Sequence, residues 1–222
     1  MASLYLLRRQ PLREHEWLLD IFSQQHGRLS VVAGRSNQIP DLLQCCDGDW
    51  VSAEDWPRIR GLRPAQASSL KGPALYCALY ITELLTRLLP RGEALPDVFL
   101  AYQETLQALA VSQLPDPWLR LFEVRLLSAL GYGFSWQQDA QGQPLQADSR
   151  YLFVPREGFA ISERGIKGAD LIAFARTERD NPAAWVTAKQ VLRIAIDDLL
   201  ERPLTSRELF MPIPAGKVKE PK

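Results

Sequence analysis

Residues 16–33 read Glu-Trp-Leu-Leu-Asp-Ile-Phe-Ser-Gln-Gln-His-Gly-Arg-Leu-Ser-Val-Val-Ala. The two ends of this stretch, Glu16–Phe22 and Arg28–Ala33, are short and rich in Leu, Ile, Val and aromatic residues, as is typical of β-strands. Between them lie the polar or small residues Ser23–Gly27, and Gly27 is suited to a backbone conformation with positive φ. The stretch therefore predicts a β-hairpin.

Further short strands flank this hairpin. Ser3–Arg9 precedes it, and Asp49–Ala53 and Arg58–Ala67 follow it after a loop. Five strands within seventy residues predict a small barrel or sandwich, and the OB-fold is one of the few barrels that close with five strands. We therefore predict a small barrel or sandwich over residues 1–70, with an OB-type barrel as one candidate.

The pattern changes from β to α after residue 70. Apolar residues recur from Pro73 onward with a period close to 3.6, and Asn181 is suited to cap a helix whose first turn holds Pro182. The predicted helices are residues 73–90, Leu95–Val111, Trp118–Leu130 with Gly131 after its end, the weaker Ile166–Arg176, and Asn181 to about Glu201. The fold class is α+β, with a mainly helical domain over residues 71–222.

Two segments of this second domain lack a helical pattern. Residues 133–163 contain several glycines and polar residues, with Tyr151–Val154 as a possible strand, so they form either a long excursion or a small β insert. Residues 212–222 contain Gly, Pro and Lys and are predicted to be a disordered tail.

Composition limits the function classes. The chain of 222 residues has 26 basic and 26 acidic side chains, so its formal charge is zero and any nucleic-acid binding must come from local asymmetry. Cys45, Cys46 and Cys77 form neither a disulfide framework nor a C-x-x-C zinc pattern. We expect a cytoplasmic protein without a membrane segment, because the N-terminus is not a signal peptide and no apolar run is long enough to cross a bilayer.

Catalytic motifs are not found in the sequence. It has no phosphate-binding glycine loop, no G-x-G-x-x-G and no G-x-S-x-G. His15 lacks the second histidine of a zinc-protease motif because Leu19 stands there, and His26 is predicted to be a solvated turn residue. A metal role for the carboxylates at positions 197, 198 and 201 is conceivable, although a solvated surface is the commoner reason for such residues. We expect no enzymatic activity.

Arginines give the predicted barrel a modest local bias. Up to Pro40 there are five arginines and three acidic residues. Such groups on the outer face of a barrel could follow a phosphate backbone, although counting alone is equally consistent with scattered solvated arginines.

The order of several sequence blocks resembles the RecO family of bacterial recombination mediators. The N-terminal blocks are Leu7–Arg9, Arg13–Glu14, Leu18–Ser23 and His26–Arg35. Three later blocks follow in the same order as in that family, and together the blocks span most of the chain. They are Leu75–Leu85, Leu119–Glu123 continuing to Leu130–Gly133, and Ser206–Phe210.

This resemblance implies an OB-fold followed by a helical domain, with no catalytic turnover. It implies binding of single- and double-stranded DNA, annealing of complementary strands, contact with RecR and with the acidic C-terminal tail of single-strand-binding protein, and an indirect role in loading RecA. The positions that match the family's basic barrel, and would contact phosphates, are Arg8, Arg9, Arg28 and Arg35. The tail would be held by Arg120, Phe122, Glu123 and Leu126.

The chain departs from the family pattern in two ways. Many members carry a four-cysteine zinc site in the insert, whereas residues 133–163 have no cysteine, so we predict no zinc and no other cofactor. The loop Gly34–Pro40 is also less basic than is usual for the family. The alternative hypothesis is therefore an adaptor of the repair machinery that binds proteins and makes little direct contact with DNA.

Overall fold

A closed five-stranded barrel forms the first part of the molecule, in a computed structural model that describes residues 2–34, 39–64 and 70–210. Its strands follow the order β1-β2-β3-β5-β4. They are β1 (Ala2–Arg13), β2 (Glu16–Ser23), β3 (Gly27–Gly34), β4 (Cys45–Val51) and β5 (Arg58–Pro64). The predicted OB-type barrel is confirmed, although β4 begins four residues before the predicted Asp49.

The hairpin between β2 and β3 is tied to the helical region at Gly27. Gly27 has φ +66°, and a Cβ atom there would lie 1.8 Å from the backbone oxygen of Glu93. Both the positive φ and the close approach of the α1–α2 connection require glycine at this position. The predicted turn is therefore confirmed, and it has a second role as a contact point between the two parts of the chain.

Five helices form most of the second part of the described chain. They are α1 (Gly72–Leu88), α2 (Pro96–Val111), α3 (Asp116–Ala129), α4 (Gly168–Ala175) and α5 (Pro182–Leu199), and a 3-10 helix covers Thr205–Phe210. The side chain of Asn181 caps α5 by accepting a hydrogen bond of 3.3 Å from the backbone N–H of Ala184. No described helix is long and apolar enough to cross a membrane.

The insert is a small antiparallel sheet. Its strands β6 (Arg150–Val154), β7 (Gly158–Ser162) and β8 (Ile166–Lys167) lie in the order β7-β6-β8. The predicted weak helix is therefore wrong at its start, because residues 166–167 pair with β6 and α4 begins two residues later. The predicted tail, residues 212–222, lies outside the described residues.

One hydrophobic cluster joins the barrel to the helices, and a second cluster fills the barrel interior. Leu4 and Leu6 of β1 face the barrel interior, whereas Tyr5 and Leu7 pack with the helices. The ring of Tyr5 lies 4.9 Å from that of Tyr102 in α2, in an edge-on arrangement that is favourable for aromatic pairs. Strand β1 therefore separates two cores, and its alternation fixes the barrel against the helical region.

Candidate nucleic-acid interface

Strand β5 carries a row of arginines on the outside of the barrel. Arg58, Arg60 and Arg63 are exposed, whereas Ile59 and Leu62 pack into the barrel interior. Within the part of the chain that the structure describes, Arg60 and Arg63 form no ion pair. Two unpaired guanidinium groups on one extended strand are available to phosphate oxygens.

These three arginines were not among the residues predicted from the sequence to bind DNA. In the run Arg-Ile-Arg-Gly-Leu-Arg at residues 58–63, the alternation of Arg58, Ile59 and Arg60 could have identified the first two arginines as outward-facing. Strict alternation would place Arg63 on the face of Ile59, and a register shift in the β4–β5 pairing turns Arg63 outward instead.

Charged side chains form ion pairs with one another at the end of the barrel where the β1–β2 turn and the start of β5 lie. Arg58 Nη1 lies 2.8 Å from Glu16 Oε1, and Arg13 lies 3.3 Å from Glu16 Oε2 and 3.2 Å from Asp55 Oδ2. The hydrogen bond from Arg58 lowers the pKa of Glu16 below its ordinary value. Because both arginines are about half exposed, these pairs contribute little to stability and can open for a competing hydrogen-bond partner.

A cavity of about 410 Å³ lies at this end of the barrel. Its lining combines two guanidinium groups, those of Arg13 and Arg58, with the loop residues Glu54 and Asp55. Trp56 forms a further part of the wall and is 39% exposed. The cavity therefore offers an aromatic surface together with hydrogen-bond donors and acceptors.

A second cleft, of about 500 Å³, lies between the barrel and α1. Arg8, Arg28, Arg87 and Glu83 are among its lining residues. Arg87 faces Glu83 at 3.5 Å. Arg8 is exposed and forms no ion pair with a described residue, so it is accessible to a ligand in this cleft.

Arg28 is held at the junction by Asp20. Its Nη2 lies 3.1 Å from Asp20 Oδ2, and its Nη1 donates to the backbone oxygen of Leu89 at 3.3 Å. Asp20 also accepts hydrogen bonds from Ser30 at 2.5 Å and from Arg91 at 3.2 Å. Although burial acts to raise the pKa of Asp20, the hydrogen bonds from Ser30 and Arg28 hold this pKa below its ordinary value. Since 11% of the Arg28 side chain is exposed, its charge is engaged inside the protein.

The four arginines predicted to contact DNA do not form one track. Arg8 and Arg28 line the junction cleft. The side chain of Arg9 lies on the face of β1 opposite to that of Arg8. Its guanidinium lies 5.2 Å from the centre of the Trp17 ring, within cation–π range. Arg35 lies outside the described residues.

The four residues predicted to hold an acidic tail lie inside the helical region. Arg120 is 4% exposed and Glu123 is fully buried, as are Phe122 and Leu126. Arg120 Nη2 lies 2.9 Å from Glu123 Oε1, and the hydroxyl of Tyr80 donates to that oxygen at 2.8 Å. Burial raises the pKa of Glu123, while Arg120 acts in the opposite direction. These four buried residues pack α3 into the helical region. A peptide bound to this helix would therefore contact accessible residues beside them.

The other carboxylates, histidines and cysteines that the structure describes are not arranged as a metal or catalytic site. No cluster of His, Cys, Asp and Glu suited to a metal ion occurs among residues 2–34, 39–64 and 70–210. Asp197 pairs with Arg207, and Asp198 lies 2.8 Å from Arg156, which favours the charged-surface interpretation of these carboxylates. Burial raises the pKa of Cys46 to about 12, so its thiol stays protonated at neutral pH.

Comparisons with known proteins agree with the fold. Residues 70–208 match the family model described as "Recombination protein O C terminal". The chain is 36% identical to the DNA repair protein RecO of Marinobacter nauticus, with 93% of this chain and 92% of that protein covered. It is 35% identical to the RecO protein of Aliivibrio fischeri, with 94% of each chain covered, and 34% identical to that of Pseudomonas paraeruginosa, with 93% of each covered.

Proposed function

This chain belongs to the RecO family of DNA repair proteins, and we propose that it is a recombination mediator that binds and anneals single-stranded DNA without catalysing a covalent reaction. The observation that carries this proposal is that Arg60 and Arg63 on β5 are exposed and pair with no described carboxylate, while a cavity with an aromatic wall lies at the start of the same strand. OB-type barrels bind single strands through such a combination of cationic groove and aromatic platform.

In the proposed mechanism, β5 holds the sugar–phosphate backbone. Guanidinium groups bind phosphate oxygens without reading the sequence, so Arg60 and Arg63 would accept any strand and also the backbone of double-stranded DNA. A strand held by its phosphates keeps its base edges open to a complementary strand. Annealing then follows from bringing two such strands together without a chemical step.

The proposed partners are single-strand-binding protein and RecR, through which the protein would assist RecA loading on cytoplasmic DNA. We propose that the acidic tail of single-strand-binding protein docks on α3 beside the predicted but buried residues. Leu121 and Val124 are half-buried there, and Arg125 is exposed and lies 2.5 Å from Glu104 of α2. A tail carboxylate could replace Glu104 on this arginine while an apolar side chain contacts its neighbours.

A protein-interaction adaptor is the second candidate, and charge balance favours it. Residues 1–70 contain eight arginines and eight acidic residues, so the barrel segment carries no net charge. Arg13, Arg28 and Arg58 are already paired with carboxylates. In this hypothesis the barrel would serve as a scaffold and the DNA contacts would belong to the partners.

Strand annealing with and without single-strand-binding protein separates the two candidates. The mediator should anneal complementary oligonucleotides alone, and its affinity for a labelled single strand, measured by fluorescence anisotropy, should fall steeply as salt rises. The adaptor should bind the tail peptide with no measurable DNA affinity. No DNA binding at low salt, or an affinity indifferent to salt, would refute the mediator proposal.

A further inference from the structure

Trp56 is more exposed to solvent than Trp185, a tryptophan of the helical core. Trp185 is 6% exposed in the helical core, whereas Trp56 is 39% exposed in the segment between β4 and β5. An indole that remains accessible in a cavity wall contributes less to folding than a buried one. Its ring is therefore accessible to a ligand in the cavity.

The size of the cavity beside Trp56 fits a nucleobase. Its volume of about 410 Å³ lies within the range of roughly 300–1,000 Å³ that small-molecule sites occupy. The segment that carries Trp56 joins β4 to β5, and in OB-type barrels this connection takes part in binding oligonucleotides. The site is therefore open enough, and correctly located, for one base of a bound strand.

The polar groups of the cavity favour a base over a phosphate. The carboxylates of Glu54 and Asp55 would repel a phosphate placed between them, whereas Arg13 and Arg58 supply donors. A nucleobase edge carries both acceptors and N–H donors, so it can satisfy both kinds of group at once. In a duplex these edges are paired and the faces are stacked, so the occupant must be an unpaired base.

The β5 arginines continue from this cavity along the barrel. At about 3.3 Å per residue, the Cα atoms of Arg60 and Arg63 lie roughly 7 and 17 Å from that of Arg58. A strand whose base enters the cavity would then lay its next phosphates on these two exposed cations. On this geometry we infer that Trp56 is the stacking platform for one unpaired base of single-stranded DNA, an inference that rests on the proposed function and deepens it.

The test compares four proteins in anisotropy titrations with a labelled oligo-dT strand and an abasic strand of equal length. Trp56→Leu, which keeps an apolar side chain but has no aromatic face, should bind oligo-dT about 5- to 100-fold more weakly than the unaltered protein. Trp56→Phe should recover most of the affinity. Tyr132→Ala, at an exposed aromatic residue after α3, is the control and should bind normally.

The abasic strand and the salt dependence identify the cause of any loss. Trp56→Leu should bind the abasic strand as the unaltered protein does, and its slope of affinity against salt should stay unchanged because no phosphate contact is removed. Normal binding of oligo-dT by Trp56→Leu, while the unaltered protein binds in a salt-dependent manner, would overturn the stacking inference alone. Equal losses on both strands would assign Trp56 a structural role and also overturn it. If the unaltered protein bound neither strand, the proposed function would fail as well.

Discussion

Replacing Asp20 with alanine should destabilise the junction between barrel and helices. The carboxylate is 9% exposed and accepts hydrogen bonds from Ser30, Arg28 and Arg91. Its removal leaves the Arg28 charge, 11% exposed, without a carboxylate. Breaking a buried ion pair costs about 3–5 kcal/mol. Because Arg28 keeps its bond to the Leu89 oxygen, we expect the lower end, about 3 kcal/mol, which lowers Tm by about 6–12 °C in a chain of this length.

Asp55→Ala is the matched control for this prediction. Asp55 also faces an arginine at 3.2 Å, but its side chain is 72% exposed, so its loss should cost at most about 1 kcal/mol. Thermal unfolding followed by circular dichroism compares the two variants. The lowered pKa of Asp20 adds a pH test, because its stabilisation is present above the unfolded pKa of about 3.9 and is lost as the pH falls through the folded value. The deficit of Asp20→Asn should therefore shrink in acid. Equal Tm values for Asp20→Ala and Asp55→Ala would refute the reasoning.

Three further variants test other parts of the structure. The double variant Arg60→Ala with Arg63→Ala should bind single strands more weakly in anisotropy titrations. The slope of log affinity against log salt should fall in magnitude by about 1.4, because two phosphate contacts on a single strand are lost. An unchanged slope would contradict the β5 site. Glu123→Ala should lower the free energy of unfolding by about 3–5 kcal/mol, because it leaves the buried Arg120 without its carboxylate. The double variant Arg120→Met with Glu123→Leu removes both charges, so its Tm should lie much nearer that of the wild type. Gly27→Ala should lower Tm, since positive φ alone costs about 1–2 kcal/mol and the new Cβ meets a backbone oxygen; a wild-type Tm would refute this.

Local pattern was sufficient to predict the barrel strands and the five helices, but not every boundary and not the strands β7 and β8. The hairpin around Gly27 and the helix that starts at Asn181 follow from turn and cap chemistry, which acts over a few residues. The start of β4 was missed because Asp47 and Gly48 are uncommon in strands. Glycine at position 48 leaves room for core side chains, since a Cβ there would lie 2.9 Å from the end of the Leu4 side chain. Such a requirement is invisible in a local window.

The candidate site was harder to predict because an arginine's role depends on what lies across from it. Arg28 and Arg60 look alike in sequence, as basic residues in strands. Asp20 lies on the strand next to Arg28 and engages it, whereas no described carboxylate engages Arg60. The ion pair could have been anticipated from the hairpin register, since Asp20 and Arg28 are eight residues apart across a tight turn. The exposure of Arg60 depends on closure of the whole barrel.

The hydrophobic cluster that joins barrel and helices would couple the two proposed contacts. Because Tyr5 and Phe22 of the barrel pack in the same cluster as the helices, the barrel cannot move freely relative to α3. A DNA strand on β5 and a protein tail on α3 would therefore be held at a fixed separation. Engaging one partner raises the effective concentration of the other at its site, and this gain is largest when the geometry is rigid and matched. Loosening the junction at Asp20 should therefore weaken the joint binding of DNA and tail more than the binding of either one alone.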